Sequence, residues 1–156
     1  MKRIAIIGST GSIGRQCLSV VDSLPGRFEV VALAAGSNVV LAAEQVVRYR
    51  PQIVSVATEK AAAELRRRLE GQRSQGGSSP AILFGSEGVE QVATHPEAEM
   101  LLSAAVGVVG LPATYKAIEC GKDIALANKE VLVAAGEVVM AAVARHGVAC
   151  SIAARR

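Results

Sequence analysis

The chain has 156 residues, of which 51% are hydrophobic but only 3% aromatic, and its formal net charge is +3. This length predicts a single domain with a substantial core, and the abundance of Ala, Val and Gly favours a parallel sheet covered by helices on both faces. The slight positive charge argues against a nucleic-acid partner, since the dense basic run Arg66-Arg67-Arg68 lies beside acidic residues and is typical of a solvated helix face.

The hydrophobic pattern alternates between strands and helices. Strands are predicted at residues 4–7, 28–35, 52–57, 81–84, 100–106, 124–127 and 147–152. Helices are predicted at residues 13–24, 39–50, 59–69, 86–94, 111–120 and 131–146. Residues 71–80 have the composition of a flexible surface loop. This alternation predicts an α/β, Rossmann-like, doubly wound, mostly parallel sheet, with residues 1–152 as one domain and residues 153–156 as a short tail.

The first strand leads into glycines at every third position, Gly8, Gly11 and Gly14. In a dinucleotide site Gly8 would permit the tight turn, Gly11 the close approach of a pyrophosphate, and Gly14 the packing of helix on strand. The helix that follows would direct its first N–H groups and its positive dipole end at the anion. Because the spacing is G-x-x-G-x-x-G rather than G-x-G-x-x-G, the motif alone also fits a merely well-packed strand-turn-helix.

The end of the second strand bears on the choice between NAD and NADP. NAD-binding folds usually place an acidic residue about 20 residues beyond the glycine turn, but this region reads Ala34-Ala35-Gly36-Ser37-Asn38. Small polar groups that can donate to a 2′-phosphate, with no carboxylate to repel it, favour NADP. An ordinary strand-to-helix turn with Ser37 or Asn38 as N-cap is a compatible interpretation.

Two later strand ends also suit a ligand. Gly107 and Gly110 follow one strand, and either a ligand lying across the sheet edge or a tight turn explains them equally well. The tripeptide Asn128-Lys129-Glu130 stands where a buried strand gives way to a helix. Helix capping by Asn128 and Glu130 is one explanation. The other is that Lys129 binds a phosphorylated or carbonyl substrate.

Membrane and secretory segments are not expected. The weakly polar stretch 100–114 is interrupted by glycines and a proline and is too short to span a bilayer, and the first strand begins by residue 4, which leaves no room for a signal peptide. Cys17, Cys120 and Cys150 lack metal-ligand spacing and are expected to be small buried hydrophobes in a reducing compartment. We therefore expect a cytoplasmic protein without a membrane partner.

Residues 8–14, 30–38 and 125–130 together resemble the amino-terminal domain of 1-deoxy-D-xylulose 5-phosphate reductoisomerase, and the resemblance extends to about Val148. It implies that NADPH is held along its pyrophosphate and adenosine side by Thr10, Gly11, Ser12 and Ile13. The adenosine 2′-phosphate would face Gly36, Ser37 and Asn38. The family usually has a basic residue at the position of Ser37, so the NADP preference would rest here on weaker contacts.

The resemblance also implies roles at the last motif and a reaction. Asn128 and Glu130 would line the cofactor site, and Lys129 would reach the sugar phosphate substrate. Enzymes of this family rearrange 1-deoxy-D-xylulose 5-phosphate and reduce the product with NADPH to 2-C-methyl-D-erythritol 4-phosphate, in non-mevalonate isoprenoid biosynthesis. A divalent metal, Mg or Mn, chelates the substrate oxygens.

The family's metal carboxylates lie in an Asp-Ser-Glu motif after the strand that follows the last predicted helix. Here that strand runs into Ala153-Ala154-Arg155-Arg156, and the last acidic residue is Glu137. The resemblance therefore implies the cofactor domain of a longer, homodimeric enzyme, without its catalytic and carboxy-terminal domains and inactive by itself. The alternative is a stand-alone NADP-binding sensor or regulatory module. An Asp-Ser-Glu stretch encoded beyond Arg156 would favour the enzyme.

Overall fold

Our computed structural model describes residues 1–71, 79–106, 109–127 and 129–152, except for the side chains of residues 129 and 130. The strands are β1 Lys2–Ile7, β2 Phe28–Ala34, β3 Ile53–Val56, β4 Ala81–Phe84, β5 Met100–Ser103, β6 Asp123–Leu126 and β7 Cys150–Ile152. The helices are α1 Ser12–Ser23, α2 Val39–Tyr49, α3 Glu59–Glu70, α4 Gly85–Ala93, α5 Leu111–Glu119 and α6 Lys129–His146. Most of the predicted loop 71–80, together with Gly107, Asn128 and the tail 153–156, lies outside the described residues.

These strands form a parallel sheet in the order β4-β3-β2-β1-β5-β6-β7. The chain moves outward from β1 in one direction up to β4, crosses back through α4, and then moves outward in the other direction. Strand β1 is therefore the topological switch point, where open α/β sheets bind ligands. The predicted doubly wound α/β fold is confirmed, and every strand pair in the described sheet is parallel.

The register aligns the strand ends that precede the predicted site. Ile7, the last residue of β1, pairs with Ala34 of β2 on one side and with Ser103 of β5 on the other. Ser103 in turn pairs with Leu126, the last residue of β6. Because all four strands run in the same direction, their carboxyl ends lie in line along one edge of the sheet.

Two apolar clusters cover the two faces of the sheet. One joins α1, α2 and α3 to residues such as Ile6, Leu33 and Val54. The other joins α4, α5 and α6 to residues such as Ala5, Leu101 and Ile124. Since a strand buried on both faces has no polar side to present, β1 from Ile4 onward and β2 from Val30 onward are continuous apolar runs.

Three local expectations were wrong. The strand predicted at 100–106 ends at Ser103, because its neighbours β1 and β6 end at Ile7 and Leu126 and offer no further ladder partner; Val106 is 88% exposed. Cys120 is exposed because it caps the end of α5 at the surface, whereas Cys17 and Cys150 are partly buried. Helix α6 is interrupted by non-helical backbone at Ala135.

A buried cation secures the opposite, amino-terminal edge of the sheet. Lys122 is 5% exposed, and its Nζ donates to the carbonyl oxygens of His95 and Ala98 at 2.6 Å each. Both bonds are charge-assisted and connect the start of β6 to the loop before β5. Burial lowers the pKa of the Lys122 ammonium. The His95 Nδ1 is also buried and has no partner among the described residues.

Among the described helices, none has both the length and the apolar character needed to cross a membrane.

The His95 site predicts a loss of stability in mild acid. Burial lowers the pKa of His95 below its ordinary 6.5; Glu97 opposes this shift and the Lys122 ammonium adds to it. The unfolded state therefore takes up the proton at a higher pH than the folded state. We expect the contribution of His95 to the free energy of unfolding to fall as the pH drops below 6.5 and to level off below the folded pKa.

Urea unfolding across this pH range measures the effect. His95→Gln should reduce the decline in acid, whereas His146→Gln, at an exposed position in the last turn of α6, should leave it unchanged. Equal pH slopes for the wild type and His95→Gln would show that His95 is not the responsible group.

Candidate functional site

The turn between β1 and α1 is a tight loop built on Gly8. Its φ of +81° lies in the left-handed region that favours glycine. The Gly8 N–H donates to the Ala34 carbonyl oxygen at 2.8 Å, and the Gly8 carbonyl oxygen accepts from the Gly11 N–H at 3.1 Å. The turn is thus closed on itself and bonded to the end of β2.

Gly14 lets α1 rest directly on this turn. A Cβ at Gly14 would lie 2.2 Å from the Gly8 carbonyl oxygen and 2.7 Å from the Ser9 Cα. No side chain fits in that space, so the first turn of α1 and the glycine loop pack backbone against backbone. This is the helix-on-strand packing that the third glycine of the motif predicts.

The N-terminus of α1 is open to an anion. Its N-cap is Gly11, which supplies no side-chain hydrogen bond, and the first turn holds no acidic residue. The first N–H groups of a helix have no intrahelical acceptor, and here Ser12 and Gly11 are exposed while Thr10 and Ile13 are partly exposed. Unpaired N–H groups at the positive end of a helix dipole form a cradle for phosphate oxygens.

The loop after β2 lies beside this cradle. Gly36, Ser37 and Asn38 are all exposed. The Asn38 Oδ1 accepts from the Leu41 N–H at 3.1 Å and so caps α2, which confirms the N-cap interpretation for Asn38. Because the cap uses only the side-chain oxygen, the Asn38 amide nitrogen keeps two donors for a ligand. The two uses of Asn38 are therefore compatible.

Two buried hydroxyls that the sequence did not single out fix the end of β5. The Ser103 Oγ lies 2.8 Å from the Thr114 Oγ1, and the Thr114 hydroxyl donates to the Gly110 carbonyl oxygen at 2.7 Å. All three residues are buried, so the start of α5 is tied to the sheet edge. In the sequence, these hydroxyls could have been found from a serine that ends an apolar strand and a threonine four residues after a glycine N-cap.

The end of β6 reaches the same edge, with β5 between it and β1. The Ala127 N–H donates to the Ser103 carbonyl oxygen at 3.0 Å, and α6 begins at Lys129. Asn128 lies outside the described residues, as do the side chains of Lys129 and Glu130. Ala127 and the first backbone residues of α6 thus lie at the edge that holds the first two stretches.

The described residues do not supply a metal centre. In the ranges given above, no group of three or more His, Cys, Asp or Glu side chains is arranged to hold an ion. We therefore assign no metal ligand to these residues.

Comparison with known proteins identifies the family. Residues 4–136 match the profile of 1-deoxy-D-xylulose 5-phosphate reductoisomerase. The chain belongs to this reductoisomerase family. The match includes the glycine turn, the loop after β2 and the tripeptide 128–130.

Relatives within the reductoisomerase family are much longer than this chain. The reductoisomerase of Symbiobacterium thermophilum is 56% identical over 147 residues, which are 94% of this chain and 38% of that protein. The chloroplastic enzyme of Mentha piperita is 48% identical over 147 residues, or 94% of this chain and 30% of that protein. The chain therefore spans 38% of the length of the first of these relatives and 30% of the length of the second.

Solved reductoisomerase structures share the fold. A DOX-P reductoisomerase in complex with NADPH, fosmidomycin and magnesium superimposes with a TM-score of 0.89 at 31% identity, covering 97% of this chain and 36% of that one. The enzyme from Zymomonas mobilis in complex with NADPH gives 0.87 at 32% identity, covering 97% and 38%. A biliverdin reductase from Synechocystis, at 14% identity and a TM-score of 0.59, shares the fold alone.

The contact of Gly14 with the turn predicts a strong effect of a single methyl group. In Gly14→Ala the new Cβ would lie 2.2 Å from a backbone oxygen that cannot rotate away. We expect a loss of about 1–3 kcal/mol in the free energy of unfolding, because overpacking outweighs the gain in helix propensity.

Gly71→Ala is the matched control for urea unfolding. Gly71 has helical dihedral angles, and a Cβ there would approach no atom closer than 3.6 Å. Its replacement should be neutral or stabilising by up to about 1 kcal/mol. Equal stability of the two variants would contradict the packing described for Gly14.

Proposed function

We propose that this domain binds NADPH along the carboxyl edge of its sheet, as the cofactor-binding part of a 1-deoxy-D-xylulose 5-phosphate reductoisomerase. The observation that best supports this is the closed glycine turn followed by an uncapped, acid-free helix N-terminus at the switch point of the sheet. Solved members of the family that match this domain hold NADPH.

The pyrophosphate fits the cradle of Thr10, Gly11, Ser12 and Ile13. A dianionic bridge between two nucleosides needs donors without side chains in the way. The backbone N–H groups of Thr10, Ser12 and Ile13 meet that need, whereas the Gly11 N–H already donates to the Gly8 carbonyl oxygen. Gly11 tolerates close approach because it has no Cβ. In this proposal Thr10 and Ile13 flank the cradle on either side.

The adenosine 2′-phosphate fits the exposed loop of Gly36, Ser37 and Asn38. Ser37 can donate its hydroxyl, and Asn38 keeps its amide donors beyond the N-cap contact. These are neutral donors, and neutral hydrogen bonds contribute roughly half as much as charge-assisted ones. We therefore propose a preference for NADPH over NADH that is smaller than in relatives with a basic residue at position 37.

The substrate side rests on the tripeptide after β6. We propose that Asn128 and Glu130 line the cofactor site and that Lys129 binds the phosphate of the sugar substrate, since an ammonium is a compact point charge suited to a phosphate. Bound NADPH supplies the hydride in the family's reaction, which converts 1-deoxy-D-xylulose 5-phosphate to 2-C-methyl-D-erythritol 4-phosphate. The chain's contribution to that reaction is to hold and orient the cofactor and, through Lys129, to bind the substrate phosphate.

Titration of both cofactors tests the proposal directly. The wild type should bind NADPH more tightly than NADH in isothermal titration calorimetry. Ser37→Arg should tighten NADPH binding by at most about 1.5–3 kcal/mol through a charge-assisted contact, with little change for NADH.

Ser23→Arg provides a control for the added charge. Ser23 is an exposed serine at the far end of α1, away from the proposed phosphate contacts. It should change the binding of neither cofactor. Equal or tighter binding of NADH by the wild type would disprove the assignment of the loop after β2.

A further inference from the structure

Gln45 is a polar residue on the buried face of α2. That face otherwise consists of apolar side chains, including Val39, Ala42 and Val46. Gln45 is 5% exposed, and its Nε2 donates to the Ser9 carbonyl oxygen at 2.9 Å across 36 positions of sequence. Its Oε1 is buried without a partner among the described residues. Leaving an amide oxygen unpaired costs free energy. The favourable contribution of Gln45 therefore comes from the hydrogen bond that its Nε2 donates.

Ser9 lies within the glycine turn and is held from three sides. Its N–H donates to the Ala34 carbonyl oxygen at 3.0 Å. A Cβ on Gly14 would lie only 2.7 Å from the Ser9 Cα, so the first turn of α1 packs against Ser9. Its carbonyl oxygen accepts from Gln45. Strand β2, helix α1 and helix α2 thus meet at one residue.

The bond from Gln45 also orients the next N–H group. Peptide bonds are planar, and the described chain contains no cis bond, so the Ser9 C=O and the Thr10 N–H point in opposite directions. Because the C=O is turned inward to α2, the N–H is turned away from it. Within the described residues the Thr10 N–H has no backbone acceptor.

We propose that Gln45 is a positioning residue for the cofactor: it fixes the Ser9–Thr10 peptide so that the Thr10 N–H faces the NADPH pyrophosphate. This inference rests on the proposed function. Gln45 does not touch the cofactor; it acts through one peptide plane. The same helix is capped by Asn38, whose amide is assigned to the 2′-phosphate, so α2 supports both the pyrophosphate and the 2′-phosphate contacts.

The test separates positioning from a general structural role. Gln45→Met keeps the side-chain volume and removes the donor. NADPH and NADH share the pyrophosphate, so both should bind about three- to tenfold more weakly, the loss of roughly one hydrogen bond. The ratio of the two affinities should stay within about twofold of the wild-type value. A general displacement of α2 would move Asn38 as well and lower that ratio.

A second variant and a control complete the experiment. Gln45→Leu also removes the donor to the Ser9 oxygen, and it should weaken the binding of both cofactors at least as much. Gln91→Met makes the matched change at an exposed position of α4, on the other face of the sheet, and should change neither affinity. In nitrogen-15 spectra, the Thr10 amide should shift on NADPH addition to the wild type and shift less in Gln45→Met.

The outcomes are distinguishable. Unchanged NADPH binding by folded Gln45→Met or Gln45→Leu, or a fall in the ratio of NADPH to NADH affinity, would overturn the positioning role alone. No NADPH binding by the wild type would overturn the proposed function and this inference together. Weaker binding of both cofactors at a constant ratio, with the reduced Thr10 shift, would support it.

Discussion

The close packing of Gly14 on the Gly8 carbonyl is the constraint on which the candidate site depends. Because no Cβ fits between them, α1 begins directly above the end of β1 and its N-terminus opens at the sheet edge. Any side chain at Gly14 would lift the helix from the strand. The anion cradle, the contact of Ser9 with β2 and the bond from Gln45 all require that spacing.

The sheet topology determines which residues can share a ligand with this cradle. Since β1 has β2 on one side and β5 on the other, and all run parallel, the loops after these strands lie along one edge. Polar contacts hold those loops in place: Asn38 caps α2, and Ser103 with Thr114 ties α5 to β5. Such buried or capping bonds rigidify a site so that little ordering entropy is lost on binding.

Membership in the reductoisomerase family and the geometry of the edge agree on the kind of ligand. The structure places the glycine turn next to the end of β2, because the Gly8 and Ser9 N–H groups both donate to the Ala34 carbonyl oxygen. The opposite edge has a different character. There the buried Lys122 donates to the carbonyl oxygens of His95 and Ala98 and so ties the start of β6 to the loop before β5.

The sequence by itself determined the alternation of strands and helices, the glycine turn, and the missing acid after β2. These are local patterns, and backbone sterics and hydrophobic periodicity act within a few residues.

The placement of the side chains at 128–130 stays a prediction. Expectations about single elements failed where a neighbour decided the outcome: β5 ends at Ser103 because β1 and β6 end beside it, and Cys120 is exposed because its helix ends at the surface. Only the tertiary structure revealed the bonds of Gln45 to Ser9 and of Ser103 to Thr114. Those bonds join residues on different elements, and no periodicity along the chain encodes which buried polar groups will meet.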